Sequence, residues 1–158
     1  MDTKKIIKVF FIALLFWNII IFSAPLLVSA KHSLLQQLGT FFYFFLDPVC
    51  HQLPARSLFW EGLPLPVCAR CTFIYLGGLA SFTLALFPAK IKSWPLSRYG
   101  VLAVPLALEV LFEKMNLYEN IFLLRMAAGL LLGILLGRLI IEGLYSNSRM
   151  KETEVNHG

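Results

Sequence analysis

Four apolar runs separated by short polar stretches organise the chain. The first covers 6–28 and is long enough for the ~20 residues that a membrane-spanning helix needs. The second covers 71–87, the third 95–113 with Pro105 inside it, and the fourth, 121–141, is the most uniformly apolar. A fifth segment, 34–46, holds five consecutive aromatics, Phe41 to Phe45, but also Gln36, Gln37 and Gly39. Its length suits an interfacial or re-entrant helix better than a span. The pattern predicts an all-α integral membrane protein with about four transmembrane helices plus a re-entrant or interfacial helix at about 34–46. Residues 1–145 form one helical membrane domain on this reading, with a loop at 47–71 and a frayed polar tail at 146–158.

Lysines and arginines between the apolar runs and near their ends orient the spans. If 34–46 does not cross, one side holds Lys4, Lys5, Lys8, Lys90, Lys92, Arg98, Arg149 and Lys151, and the other holds Lys31, Arg56, Arg70 and Lys114. If it does cross, the two sides hold equal numbers and the bias disappears. The positive-inside rule therefore places the chain in the cell membrane with both termini cytoplasmic and the 47–71 loop outside. A cleaved leader ending at Val28-Ser29-Ala30 is the alternative for the first run, but Asn18 and the run's length favour a retained anchor.

Composition agrees: 58% of the 158 residues are hydrophobic and 15% charged, which excludes a water-soluble globule and a disordered chain alike. The net charge of +5 is spread thinly between apolar runs, which favours membrane orientation over nucleic-acid binding. The lipid bilayer is the one partner the composition implies. Three cysteines are too few, and odd in number, for a disulfide scaffold.

All three cysteines fall between Cys50 and Cys71, in the run Cys50-His51-Gln52-Leu53-Pro54-Ala55-Arg56-Ser57 and then Pro66-Val67-Cys68-Ala69-Arg70-Cys71-Thr72. Pro48, Pro54, Pro64 and Pro66 punctuate the stretch, which reads as a structured loop. Three chemistries fit. Cys50, His51, Cys68 and Cys71 form a Cys₃His set suited to Zn²⁺ or another soft metal. Alternatively, Cys68-x-x-Cys71 at a helix N-terminus is a redox arrangement, with Arg70 between the thiols to favour thiolate and a quinone as electron partner. The bland alternative is that the cysteines pack as small hydrophobes or form a structural disulfide. Covalent haem attachment is excluded because Thr72, not His, follows Cys71.

The remaining charges within the spans are more telling than their number. Glu109 and Glu113 share a helix face, and Arg125 begins a stripe continued by Gly129, Gly133 and Gly137. Small residues at four-residue spacing let a neighbouring helix approach closely, so Arg125 faces the bundle and an ion pair with one of the glutamates is expected. Gly77, Gly78 and Ser81 read as packing positions, while Lys8, Asn18, Arg138 and Glu142 read as snorkelling or interfacial. Glu109, Arg125 and Arg56 are the candidate catalytic residues: a general base and two anion-binding cations for a lipid or other outer-leaflet substrate.

At these residues the sequence resembles a family of small bacterial multi-pass membrane proteins of unknown function. The pattern C-H-Q-x-P-x-R-S, then P-V-C-A-R-C-T-G-I-Y-x-G, then N-x-x-x-x-R-x-x-x-G is matched by Cys50 to Ser57, Pro66 to Gly77, and Asn120, Arg125 and Gly129. Phe73 departs from it where the family has glycine, and Glu109 and Glu113 stand where Asp and Gln are expected. The resemblance implies one site at these positions and no particular activity. A metal-binding membrane protein or metalloenzyme, a thiol–disulfide oxidoreductase using quinone, and a non-catalytic scaffold all remain open.

Overall fold

The computed structural model describes residues 3–50, 52–87, 94–115 and 122–156. Helix α1 (Thr3–Val28) is followed by α2 (Ser33–Leu46), a 3₁₀ turn over Pro54–Arg56, and a hairpin of β1 (Ser57–Trp60) and β2 (Leu63–Cys68). Three further helices complete the chain: α3 (Ala69–Leu86), α4 (Leu96–Lys114) and α5 (Phe122–Asn156). Helices α1, α3 and α5 are long and apolar enough to cross a membrane. Helix α4 has the length of a span, but Arg98, Glu109 and Glu113 lie within it.

Side-chain contacts give the directions of the helices. Phe82, Gly78 and Tyr75 of α3 meet Phe10, Leu14 and Trp17 of α1, so these two helices run antiparallel. Gly129, Gly133 and Gly137 of α5 meet Arg70, Ile74 and Ser81 of α3, so α5 runs parallel to α3. Helix α4, which connects them in the sequence, runs back in the opposite direction. Its Glu109 reaches Arg70 at the start of α3, and Trp94, just before α4, reaches Glu142 well along α5. The start of α1 and the Ile141 level of α5 therefore share one end of the bundle, where Ile7, Phe82 and Ile141 form a buried cluster.

Helix α2 folds back along α1 rather than crossing. Gly39 lies against the backbone of Val28 and Ala24, where a Cβ would come within 2.7 Å of the Val28 nitrogen. Phe45, near the end of α2, meets Trp17 edge to face at 6.0 Å. Trp17 lies about 16 Å short of the Val28 end of α1 at 1.5 Å per residue, roughly half the thickness of a bilayer core. A short helix folded against α1 in this way agrees with the re-entrant or interfacial helix expected at 34–46.

Three expectations are corrected. The 47–71 segment is not only loop, because it contains the β1–β2 hairpin, with Phe59 opposite Pro64 and Trp60 opposite Leu63. Glu61 and Gly62 turn the hairpin with φ of 50° and 84°, the left-handed pair that a two-residue hairpin loop requires. Asn18 is buried rather than interfacial and donates to the Leu14 carbonyl at 2.8 Å. The polar stretch after Tyr145 is helical as far as Asn156, where an irregular tail is expected from the sequence, because α5 continues into it.

Candidate metal centre

The hairpin carries Cys68 to the start of α3. On β2, Leu65 and Val67 turn into a buried cluster with Ile20 and Ile21 of α1 and Leu46 of α2, and that apolar anchorage places the strand. Cys68 ends the strand and immediately precedes the first turn of α3, in extended conformation. One helical turn on, Cys71 shares its face, and the Thr72 hydroxyl, fully buried, donates to the Cys68 carbonyl at 3.2 Å. Cys50 arrives from the other direction. The chain leaves α2 in a tight turn in which the Val49 and Cys50 amides donate to the Leu46 carbonyl at 3.0 and 3.2 Å.

The three sulfurs converge, all lying within 4.8 Å of one another and each half-buried. The Cys68 amide donates to Cys50 Sγ at 3.2 Å. The Cys68 thiol is pushed down to about 5, first by a hydrogen bond from the Cys71 thiol and then by backbone amides at the helix start, with burial opposing. Cys50 and Cys71 pack against the Ile20–Ile21 cluster. The site thus lies roughly 10–12 Å short of the Val28 end of α1, measured along that helix.

Two residues that the sequence reading left without a role hold this arrangement. Gln52 adopts φ 48° and donates through Nε2 to the Tyr43 carbonyl at 2.6 Å. The Tyr43 hydroxyl in turn donates to the Pro64 carbonyl at 2.5 Å. Together they tie α2, the Cys50 turn and β2 into one unit. The signal was the unusual Gln in Cys50-His51-Gln52, followed so soon by proline. His51 itself, the fourth expected ligand, lies outside the described residues, as do Asn120 and the side chain of Glu113.

Arg125 is buried, as the small-residue stripe implied, and so is Glu109, whereas Arg56 is exposed on the 3₁₀ turn. Glu109 is gripped by Arg70, whose Nη2 lies 2.8 Å from both carboxylate oxygens. Arg70 sits between Cys68 and Cys71 in sequence, so this pair joins the cysteine segment directly to α4. Gly129, one turn after Arg125, lies against the Arg70 carbonyl. The buried cation Arg125 therefore stands on the helix packed beside the same segment.

Similar proteins extend this picture without naming an activity. An uncharacterized protein of Methanothermobacter thermautotrophicus is 35% identical over 87 residues, covering 54% of this chain and 78% of its own. The uncharacterized protein MJ1492 of Methanocaldococcus jannaschii is 29% identical over 135 residues, covering 82% of this chain and 86% of its own. Both relatives are archaeal, where the sequence resemblance pointed to bacteria. No solved structure matches the chain. A family model described as a predicted membrane protein (DUF2085) matches residues 50–139, from the first cysteine past the last glycine of the α5 stripe, and the chain belongs to that family.

Proposed function

We propose that the protein binds a soft metal ion, Zn²⁺ or Cu(I), through Cys50, Cys68 and Cys71. The observation that carries this reading is the convergence of three thiols from two separate segments to within 4.8 Å. Thiolates at about 2.3 Å around one tetrahedral ion are about 3.8 Å apart, so small side-chain adjustments complete such a site. The Cys68 amide on Cys50 Sγ is the kind of N–H···S contact that steadies a bound thiolate. His51 is the sequence's candidate for a fourth ligand.

The positive-inside count supports a membrane orientation with both termini in the cytoplasm and the metal site near the opposite face. A metalloenzyme acting on an anionic outer-leaflet substrate is the catalytic form of the proposal, with Arg56 and Arg125 as cations and Glu109 as base. Proton abstraction by Glu109 would require its pair with Arg70 to open first.

Metal analysis of the purified protein tests the reading. One equivalent of zinc or copper is expected, lost in each of Cys50→Ser, Cys68→Ser and Cys71→Ser, and held more weakly in His51→Ala. Protein that is metal-free and takes up neither added Zn²⁺ nor Cu(I) overturns it. The position of Cys68 at the start of α3 favours one second reading, a thiol–disulfide oxidoreductase. There Cys68 and Cys71 would give up two electrons and two protons to a quinone, forming a disulfide and a quinol. Disulfide formation on quinone addition to metal-free protein would mark that outcome.

A further inference from the structure

The first turn of α3 carries two of the three thiols, and its own sequence does little to hold it. Cys68 is the N-cap residue, in extended conformation, and its side chain does not cap the amides of the turn. No acidic residue stands within the turn to meet the positive end of the helix dipole. The leading N–H groups of a helix lack intrahelical partners, so an uncapped turn is where a helix opens first. The spacing of the Cys68 and Cys71 sulfurs is set there, by the backbone of Ala69 and Arg70. Opening of that one turn would scatter two ligands while the rest of α3 stayed seated on α5.

Two neighbouring helices hold the turn from outside, both at Arg70. Its carbonyl lies against Gly129 of α5, where a Cβ would overlap it. Its Nη2 lies 2.8 Å from both carboxylate oxygens of Glu109 on α4. Glu109 is 8% exposed and Arg70 22%, so water screens the pair weakly. Gly129 fixes the peptide group that follows Arg70, and the ion pair restrains its side chain. Glu109 thus supplies from another helix a restraint that the start of α3 does not supply itself.

We propose that Glu109 is a positioning residue for the metal centre: through Arg70 it fixes the first turn of α3 and keeps Cys68 and Cys71 at ligand spacing. The inference rests on the metal reading above and deepens it. Metal binding and the docking of α4 favour the same ordered turn, so each strengthens the other by the same factor. Losing a residue that orients a metal ligand typically costs about 10–100-fold in affinity. This role needs the Arg70–Glu109 pair closed, whereas proton abstraction by Glu109 needs it open.

The test is a titration of the full-length protein in detergent with Zn²⁺, or with Cu(I) where only that ion binds, against a competing chelator. Glu109→Gln and Arg70→Met should each raise the metal Kd about tenfold with one equivalent still bound. Arg70→Met/Glu109→Met should also raise it about tenfold rather than a hundredfold, because both residues act through one contact. That double variant separates positioning from stability, since removing both charges together should restore most of the unfolding free energy. Affinity that returned along with stability would overturn the proposal. In the wild type, metal should slow hydrogen exchange in α4 about tenfold, and in Glu109→Gln it should leave α4 unchanged. The wild-type exchange needs no variant and keeps the test decisive if a substitution fails to fold. Metal that binds without slowing α4, or with unchanged affinity in Glu109→Gln, overturns the positioning role and leaves the metal site standing. Wild-type protein that binds neither ion overturns the metal reading itself, and the positioning role with it.

Discussion

Helices α3 and α4 are consecutive in the chain and similar in length, yet they are held in opposite ways. Helix α3 meets α5 through glycine along its whole length. Gly77 abuts the Leu130 carbonyl, Gly129 the Arg70 carbonyl and Gly133 the Ile74 carbonyl, and Ser81 donates to the Ile134 carbonyl at 3.1 Å. Helix α4 presents most of its surface outward, and Glu109 is its one buried side chain among the described residues. Among the described residues it is fastened by charge at two points. One is Glu109 on Arg70, and the other is Glu142, which accepts from the Trp94 amide at 3.2 Å while Arg138 lies 3.9 Å over the Trp94 ring. Apolar association between helices gains little when the surrounding solvent is itself hydrocarbon. A bilayer protein can therefore join helices by close backbone approach or by polar contacts, and this chain uses one device for each of the two helices.

The strongest way to break the contrast is to thicken the glycine seam. Gly133→Leu puts a side chain where even a Cβ overlaps the Ile74 carbonyl, and backbone on both sides cannot step aside cheaply. The expected loss is about 3 kcal/mol or more, enough to deplete folded protein, read by thermal unfolding in detergent and by yield. Gly143→Leu on the same helix, where nothing lies within 4 Å, should cost almost nothing. Equal effects from the two would mean that the seam is not the principal joint.

Glu109→Gln attacks the other device and should cost less, about 1–3 kcal/mol, because Arg70 is only partly buried and Gln retains one acceptor. Its signature is local. Hydrogen exchange should rise in α4 and stay unchanged in the α3–α5 seam. The double variant Arg70→Met/Glu109→Met removes both charges together and should recover most of the stability. Exchange rising uniformly along α3, α4 and α5 would show that α4 is part of the same cooperative core.

The two devices were not equally legible in the sequence. The seam was, because Gly129, Gly133 and Gly137 recur at helical spacing and Arg125 shares their stripe, and periodicity encodes which face is buried. Which arginine takes Glu109 was not legible, since Arg56, Arg70 and Arg125 all fall at the same end and spacing carries no information between helices. Convergence of Cys50 on Cys68 and Cys71 was readable from chemistry rather than periodicity. The hairpin beneath them was missed because Pro64 and Pro66 read as loop residues. In a two-stranded ribbon each strand has an outward edge that needs no N–H, so alternating prolines are tolerated there. Leu63, Leu65 and Val67 between them already showed the period of a strand. The helical extension to Asn156 is hidden in the sequence by its polarity, although Met150 to Glu154 is rich in good helix formers.

The smallest expected effect tests whether α4 is covered at all. Val104 is 55% exposed in the middle of that helix. If lipid is its neighbour, Val104→Ala exchanges one apolar surface for a smaller one, and acyl chains fill the difference without leaving a cavity. The helix gains slightly, because alanine is the better helix former and valine is restricted at χ1. The net change in unfolding free energy should therefore stay within about 0.5 kcal/mol. A protein neighbour packed on that face could not flow into the gap, and the same substitution would then leave a void and cost about 1 kcal/mol or more. A loss of that size, appearing in bilayer nanodiscs and vanishing on dilution into detergent, would mean that another chain closes over α4. The outward face of α4 would then be a protein contact, and its two charged clamps would set the angle at which that contact is made.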